Sequence, residues 1–434
     1  MVEASIFWFR RDLRIDDNPG LYEALGNSKN VIPIFIFDTN IIDNLPSDDN
    51  RIKFIWHSLS LLNERLKEVG SKLNVFKGNP LEVFKKIILK YRLTSVYVNR
   101  DYEKYSIKRD KEINNFLNEN KIAFNASKDH VLFEPNEILK SDGTPYTVFT
   151  PYSKKWFEKF YSEKLPQYQI KNLVDNFFKT NYKPIISLSE IGFSNDEIEF
   201  EKFNLGDELI KNYNSKRDFP YLNSTSKIGP YLRFGLISVR EVGEKTIEKK
   251  FDQSFLRQLI WRDFYIQIFF HFPDSENENF KPAYDKIIWL NEEEKFEKWC
   301  AGETGYPIVD AGMKELNKTG FMHNRVRMIA ASFLCKHLLI HWKKGESYFA
   351  KKLLDYEMAS NVGNWQWVAG TGVDAAPYFR LFNPEIQMKK FDPQKVYIKK
   401  WLPKYDPENY LEPIIDHNYA RERCLNAYKI ALNN

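Results

Sequence analysis

A change of hydrophobic period partway along the chain constrains its fold more than any other feature. Up to about residue 131, short apolar runs at residues 4–9, 31–37, 73–76 and 95–98 alternate with stretches of helical spacing. Between residues 50 and 69, Phe54, Leu61, Leu62 and Leu66 recur near the 3.6-residue period of a helix. Strands separated by helices pair in parallel, so residues 1–131 are expected to form an α/β, Rossmann-like domain whose sheet is covered on both faces. The first strand is not followed by GxGxxG, which argues against a conventional dinucleotide site there. After residue 200 the strand signal fades and apolar residues fall at i, i+3 and i+4, so residues 201–434 are expected to be an all-α domain. Residues 132–200 carry turn signals such as Asp142-Gly143-Thr144-Pro145 and read as an interdomain linker, with one helix from Thr150 to Phe160.

The densest chemistry lies between Asp355 and Asn383. Asp355, Glu357 and Asn361 precede Trp365 and Trp367, and on a helix Asn361 and Trp365 share a face at i,i+4. Gly370-Thr371-Gly372 then breaks regular structure and lets backbone approach a ligand closely. These residues alone leave two readings open: a surface for something flat, or an aromatic-rich core helix with polar caps. Upstream, Gln258, Trp261, Arg262 and Tyr265 fall along one helical stripe that combines an amide, a ring, a cation and a phenol. Stacking a base on such an indole is worth about 1–3 kcal/mol, while a plain amphipathic core helix would explain the same spacing. Thr225 and Ser226 shortly before Pro230 read as a helix start whose free N–H groups suit a phosphate. Residues 321–342 read as one long helix on which Asn324, Arg325 and Met328 project together, with Arg327 placed to pair with Asp355.

The series Asp355, Glu357, Asn361, Trp365-Gln366-Trp367, continuing through Gly370 to Pro384, resembles the flavin-binding signature of the photolyase/cryptochrome family. Thr304 to Met313, His323 to Met328 and Trp8 to Leu21 extend the resemblance over nearly the whole chain. It is nearest to class I-type photolyases that act on cyclobutane pyrimidine dimers. The resemblance implies FAD as cofactor, held by Tyr213, Thr225, Ser226, Lys227, Ile228, Gly229, Phe255, Arg262, Asp355, Tyr356, Glu357 and Asn361. It implies a lesion site lined by Gln258, Trp261, Tyr265, Asn324, Met328 and Trp367, with Arg217, Arg325 and Gln387 gripping UV-damaged DNA. It also implies that Trp289, Trp342 and Trp365 carry electrons and that Asn361 tunes the flavin ring. Gln258 stands where repair enzymes for cyclobutane dimers usually carry Glu, and Asn324 and Met328 stand where 6-4 photolyases carry His. A blue-light receptor of the cryptochrome type is the alternative. An antenna chromophore, deazaflavin-type rather than folate if there is one, would involve Arg51 and Asp101.

Composition adds limits. Net charge is +5, and Arg380, Lys389, Lys390, Lys395, Lys399, Lys400 and Lys404 face only Glu385 and Asp392 in one basic stretch. That stretch is a candidate footprint for a phosphate backbone, or an ordinary solvated surface. Cys300, Cys335 and Cys424 fit no metal or disulfide spacing and suit a reducing compartment. With neither a signal-peptide layout nor a long apolar run, a cytoplasmic monomer without membrane contact or a metal is expected.

Overall fold

The computed structural model describes residues 2–196, 199–248 and 253–433. Contacts divide the chain into two compact units: Met1–Glu137 with Phe157–Phe203 and Lys227–Lys249, and Ile138–Trp156 with Asn204–Ser226 and Lys250–Asn434.

The first unit is built on a parallel sheet of β1 (Glu3–Phe9), β2 (Val31–Asp38), β3 (Asn74–Gly78), β4 (Arg92–Asn99) and β5 (Ala123–Ser127), ordered β3-β2-β1-β4-β5. In the middle of the sheet Phe7 of β1 is level with Pro33 of β2 and Tyr97 of β4. Side chains on a strand alternate between faces, and β1 shows why it reads as one apolar run. Phe7 and Phe9 enter a core with Phe35 and Phe37, while Ile6 and Trp8 enter a second core with Ile34 and Ile36. The four expected strands are present, and β5 was not foreseen. Its sequence AFNAS is short and half polar, and pairing to β4, with Phe124 level with Val96, defines it. The helix Asn50–Glu68 spans its expected range, but Leu61 is 53% exposed. Phe54, Leu62 and Leu66 are buried as expected, and Leu59 completes the buried stripe in place of Leu61.

The second unit is helical, and two expectations about its helices are corrected. Residues 321–342 are not one helix. An α-helix spans Asn324–Ser332, widens into a π-turn over Phe333–His337, and ends before Leu339, whose φ is +53°. The wider turn carries the fully buried Lys336 inward, where its Nζ donates to the Ala369 carbonyl at 2.8 Å and that of Tyr378 at 3.2 Å. A new helix, Trp342–Lys352, then starts with His341 as its cap, its Nδ1 accepting the Lys343 N–H at 3.1 Å. The second correction concerns Thr225 and Ser226, which cap nothing. The helix that follows is only Gly229–Arg233, its cap position is Ile228 without a side-chain bond, and Lys227 sits at a φ of +52°. Of the turn-rich residues 132–200, 132–137 and 157–200 pack with the sheet unit and 138–156 with the helical one. The helix expected from Thr150 runs Phe149–Ser162. No helix among the described residues is long and apolar enough to cross a membrane.

Candidate functional site

Two helices of the second unit, Leu256–His271 and Met358–Ala369, meet where Gly363 faces Tyr265. A Cβ on Gly363 would stand 2.3 Å from the Tyr265 ring, so glycine is what allows this approach. Tyr265 is consequently buried, and its phenol pKa is pushed up by that burial. Of the expected stripe it is a floor residue. Trp261 is half-buried one turn away, with Phe149 stacked on one face at 3.6 Å and an interplanar angle of 2°. Sequence gave no sign of this partner, more than a hundred residues distant. Gln258 turns toward the start of its own helix, its Nε2 donating to the Ser254 carbonyl at 3.0 Å. Arg262 pairs with the buried Glu357 at 3.1 Å, which ties the two helices together.

The expected pairing of Arg327 with Asp355 is present, Nη2 to Oδ2 at 3.0 Å. Asp355 Oδ1 is buried without a hydrogen-bond partner among the described residues. A buried carboxylate oxygen left open is costly unless a donor from elsewhere meets it. Asn361 is also buried, and its Nδ2 donates to the Glu346 carbonyl at 3.1 Å and to Glu346 Oε1 at 2.9 Å. Both acceptors belong to Glu346, so the amide orientation is fixed and its oxygen is the atom left for a ligand. Burial raises the Glu346 pKa, and the Asn361 hydrogen bond partly offsets this. Glu346 was missed because nothing marks a lone Glu on the neighbouring helix, fifteen residues earlier, as the partner of an Asn. Tyr356 lies between Asp355 and Glu357, half-buried. These open acceptors suit the N–H and hydroxyl donors of a flavin and its ribityl chain, and so the residues present fit the implied FAD.

Tyr213 and Phe255 are in edge contact at 5.1 Å, and Phe255 is buried. Thr225 and Ser226 belong to the helical unit, and the Ser226 carbonyl accepts the Asn204 N–H at 2.8 Å. Lys227, Ile228 and Gly229 belong to the sheet unit, where Lys227 is ion-paired to Glu201.

Arg325 joins three expected elements: it pairs with Asp218 at 2.7 Å, beside Arg217, and lies 4.3 Å over the Phe391 ring. Phe391 ends the helix Pro384–Phe391 that carries the half-buried Gln387. Asn324 is exposed one turn from the half-buried Met328, its Nδ2 3.9 Å from the sulfur, and Trp367 is half-buried on its own helix. The neighbouring His323 has a pKa lowered to about 4 by burial. Arg380, Lys389, Lys390, Lys399, Lys400 and Lys404 are exposed, and Tyr397 anchors this stretch by donating to Glu315 at 2.6 Å.

Trp365 and Trp342 are almost fully buried, and Trp289 is half-buried. The Trp365 ring lies against Gly345, where a Cβ would stand 2.2 Å away, three residues along the helix that Trp342 begins. In the sheet unit the two antenna candidates are engaged separately. Arg51 Nε donates to Asp49 at 2.9 Å, while Asp101 binds Arg11 at 3.2 Å and Ser106 at 3.1 Å.

Comparison with known proteins agrees with this layout. Residues 255–409 match the family described as the FAD binding domain of DNA photolyase, and residues 5–169 match that described as DNA photolyase. A deoxyribodipyrimidine photo-lyase of Halobacterium salinarum is 33% identical over 480 residues, covering 98% of this chain and 99% of the relative. The crystal structure of a bacterial class III photolyase from Agrobacterium tumefaciens superposes with a TM-score of 0.88 at 30% identity, covering 100% of this chain and 98% of that one. An archaeal photolyase from Sulfolobus tokodaii, solved with two FAD molecules, gives 0.82 at 34% identity, with 98% and 100% covered. Full-length identity at this level, together with two matched domains and a helical site left open at Asp355, makes the chain a member of the photolyase/cryptochrome family.

Proposed function

We propose that this chain is a deoxyribodipyrimidine photo-lyase, repairing cyclobutane pyrimidine dimers in UV-damaged DNA with light. The observation that carries the reading is the buried Asp355 Oδ1 left without a partner among the described residues, beside the Asn361 amide that Glu346 orients, on the segment that also presents Trp365 and Trp367. Bound reduced FAD would supply the light-driven electron that splits the dimer and would take it back afterwards. The protein's part is to bind, orient and exclude water. Asp355, held by Arg327, and Glu357, held by Arg262, would hold the flavin and its ribityl chain, together with Tyr356 and Phe255. Asn361, locked by Glu346, would tune the flavin ring through its amide. Tyr213 and residues 225–229, Thr225, Ser226, Lys227, Ile228 and Gly229, hold the pyrophosphate. Gln258, Trp261, Asn324, Met328 and Trp367 receive the extruded pyrimidines above the Tyr265 floor, and Arg217, Arg325 and Gln387 hold the strand. Trp289, Trp342 and Trp365 deliver electrons that restore the reduced state.

Residues 1–131 are proposed as the antenna module, 132–200 as the connector and 201–434 as the catalytic module, acting as a monomer in the cytoplasm. A deazaflavin-type antenna would need Arg51 and Asp101 to exchange their present partners, and absorbance of the purified protein beyond the flavin bands tests for it.

Purified protein with reduced flavin should restore thymine absorbance in DNA bearing defined cyclobutane dimers under blue light and not in the dark. Dark recovery, or none in light, defeats the repair reading, and intact flavin photochemistry without recovery would point to a light sensor. Gln258→Glu should raise the repair rate, because a carboxylate adds a negative charge near the substrate that the amide lacks.

A further inference from the structure

His341 caps the helix Trp342–Lys352, a role that Asn or Asp, with no ring, would fill as well. Its ring, however, contacts two indoles: its centroid lies 5.2 Å from that of Trp289 and 5.5 Å from that of Trp342. Both neighbours are otherwise fixed. Trp342 Nε1 donates to Asn279 at 2.8 Å, and Trp289 meets the buried Tyr428 edge-on at 6.1 Å. His341 itself is tied down by its backbone N–H to Asn291 at 2.9 Å and by the Lys343 N–H to Nδ1 at 3.1 Å.

We propose that His341 is a positioning residue of the electron path, its imidazole bridging Trp289 and Trp342 and its charge setting how readily the oxidised state passes from Trp365 onto that pair. The proposal rests on the role assigned above to the three tryptophans. One electron leaves Trp342 to refill Trp365, one leaves Trp289 to refill Trp342, and an external thiol returns one to Trp289. Each indole is oxidised once and restored once. During the middle step a positive charge moves from Trp342 to Trp289 past the His341 ring. A neutral imidazole is polarisable and indifferent to that charge, whereas an imidazolium in ring contact with both indoles opposes it on either one. The charges facing the ring are Lys343 on its own helix and Asp285 on the preceding segment. Burial, with Lys343 adding to it and Asp285 opposing, lowers the His341 pKa, so the ring is neutral at neutral pH and becomes charged in acid.

The test follows flavin photoreduction in thiol-containing buffer from neutral pH downward through the acid range in which the protein stays folded, where a histidine with a lowered pKa takes up its charge. The wild-type rate should fall several-fold on the acid side. His341→Asn keeps an N-cap acceptor and His341→Phe keeps a ring, and neither titrates, so both should lose the acid limb. A second readout needs no flavin: imidazolium quenches indole fluorescence, so the flavin-free protein should dim in acid and His341→Asn should dim less. A wild-type rate flat in pH, or an acid limb that persists in both variants, would overturn the proposal. Trp342→Phe serves as the control. If it photoreduces like wild type, the tryptophan path itself is wrong and the role of His341 falls with it. If it is blocked while both His341 variants keep the wild-type pH profile, only the His341 inference fails.

Discussion

In the sheet-bearing unit, buried charges close on one another. Arg14 reaches Asp129 and the Gly235 carbonyl, while Arg240 reaches the same Asp129 at 2.9 Å and Asp17 at 2.9 Å. Arg14 keeps only its Nε without a partner. In the helical unit, buried polar atoms are more often left open: Asp355 Oδ1, His323 Nε2, His337 Nδ1 and Thr371 Oγ1 have no partner among the described residues. A network that satisfies itself holds a fold, whereas an open acceptor next to a held one is where a ligand belongs. The same residue types therefore mean structure in one unit and chemistry in the other.

The sharpest way to break this contrast is to remove one partner from each. Asp129→Ala leaves the Arg14 and Arg240 cations buried and under-compensated, and loss of one partner of a buried pair costs about 3–5 kcal/mol. The sheet unit should unfold at clearly lower denaturant, by circular dichroism. Asp355→Asn keeps size and polarity, so the flavin-free protein should lose far less stability while its flavin content falls. Equal destabilisation by the two changes would refute the distinction.

The parts legible in the sequence share a cause. Strands β1 and β2 are buried along almost their whole length and so read as unbroken apolar runs, and the site residues from Asp355 to Trp367 lie close together in one stretch of chain. The illegible parts depend on contacts distant in the chain. β5 is a strand because β4 offers it an edge, Trp261 is half covered by Phe149, and Asn361 is oriented by Glu346. The expected long helix from 321 to 342 fails because burying Lys336 and His337 demands a widened turn, an outcome the apolar spacing does not encode.

Acid should separate the units next. His337 is fully buried, and burial, with His417 and Arg423 adding to it, lowers its pKa from 6.5 to about 3. Between those values the unfolded chain binds a proton that the folded chain refuses, so this stability is full above about 6.5 and is lost as pH falls toward about 3. Its size is on the order of 2–4 kcal/mol. Asp12 runs the other way: burial, with Asp129 beside it, raises its pKa from 3.8 to about 6. Here the folded chain binds the extra proton, so this term gains as pH falls from about 6 to 3.8. Denaturation at stepped pH should show acid weakening in the helical unit, flattened by His337→Gln, which keeps a hydrogen-bonding group toward His417. An unchanged slope in that variant would remove His337 as the cause.

The smallest effects come from one substitution made in both units. Gly345→Ala puts a methyl 2.2 Å from the Trp365 ring and 2.5 Å from Leu334, a clash that only movement of the indole can relieve. Overpacking of this kind costs about 1–3 kcal/mol, and the displaced Trp365 should also slow flavin photoreduction. Gly26, near the end of the helix Pro19–Asn27, has nothing within 4 Å of where its Cβ would stand. Gly26→Ala should therefore stabilise by roughly 0.5–1 kcal/mol, through helix propensity and the entropy removed from the unfolded chain. Opposite signs in thermal unfolding would show that glycine is kept at 345 for the ring it admits and at 26 for no packing reason, and a stabilising Gly345→Ala would mean that Trp365 is free to shift.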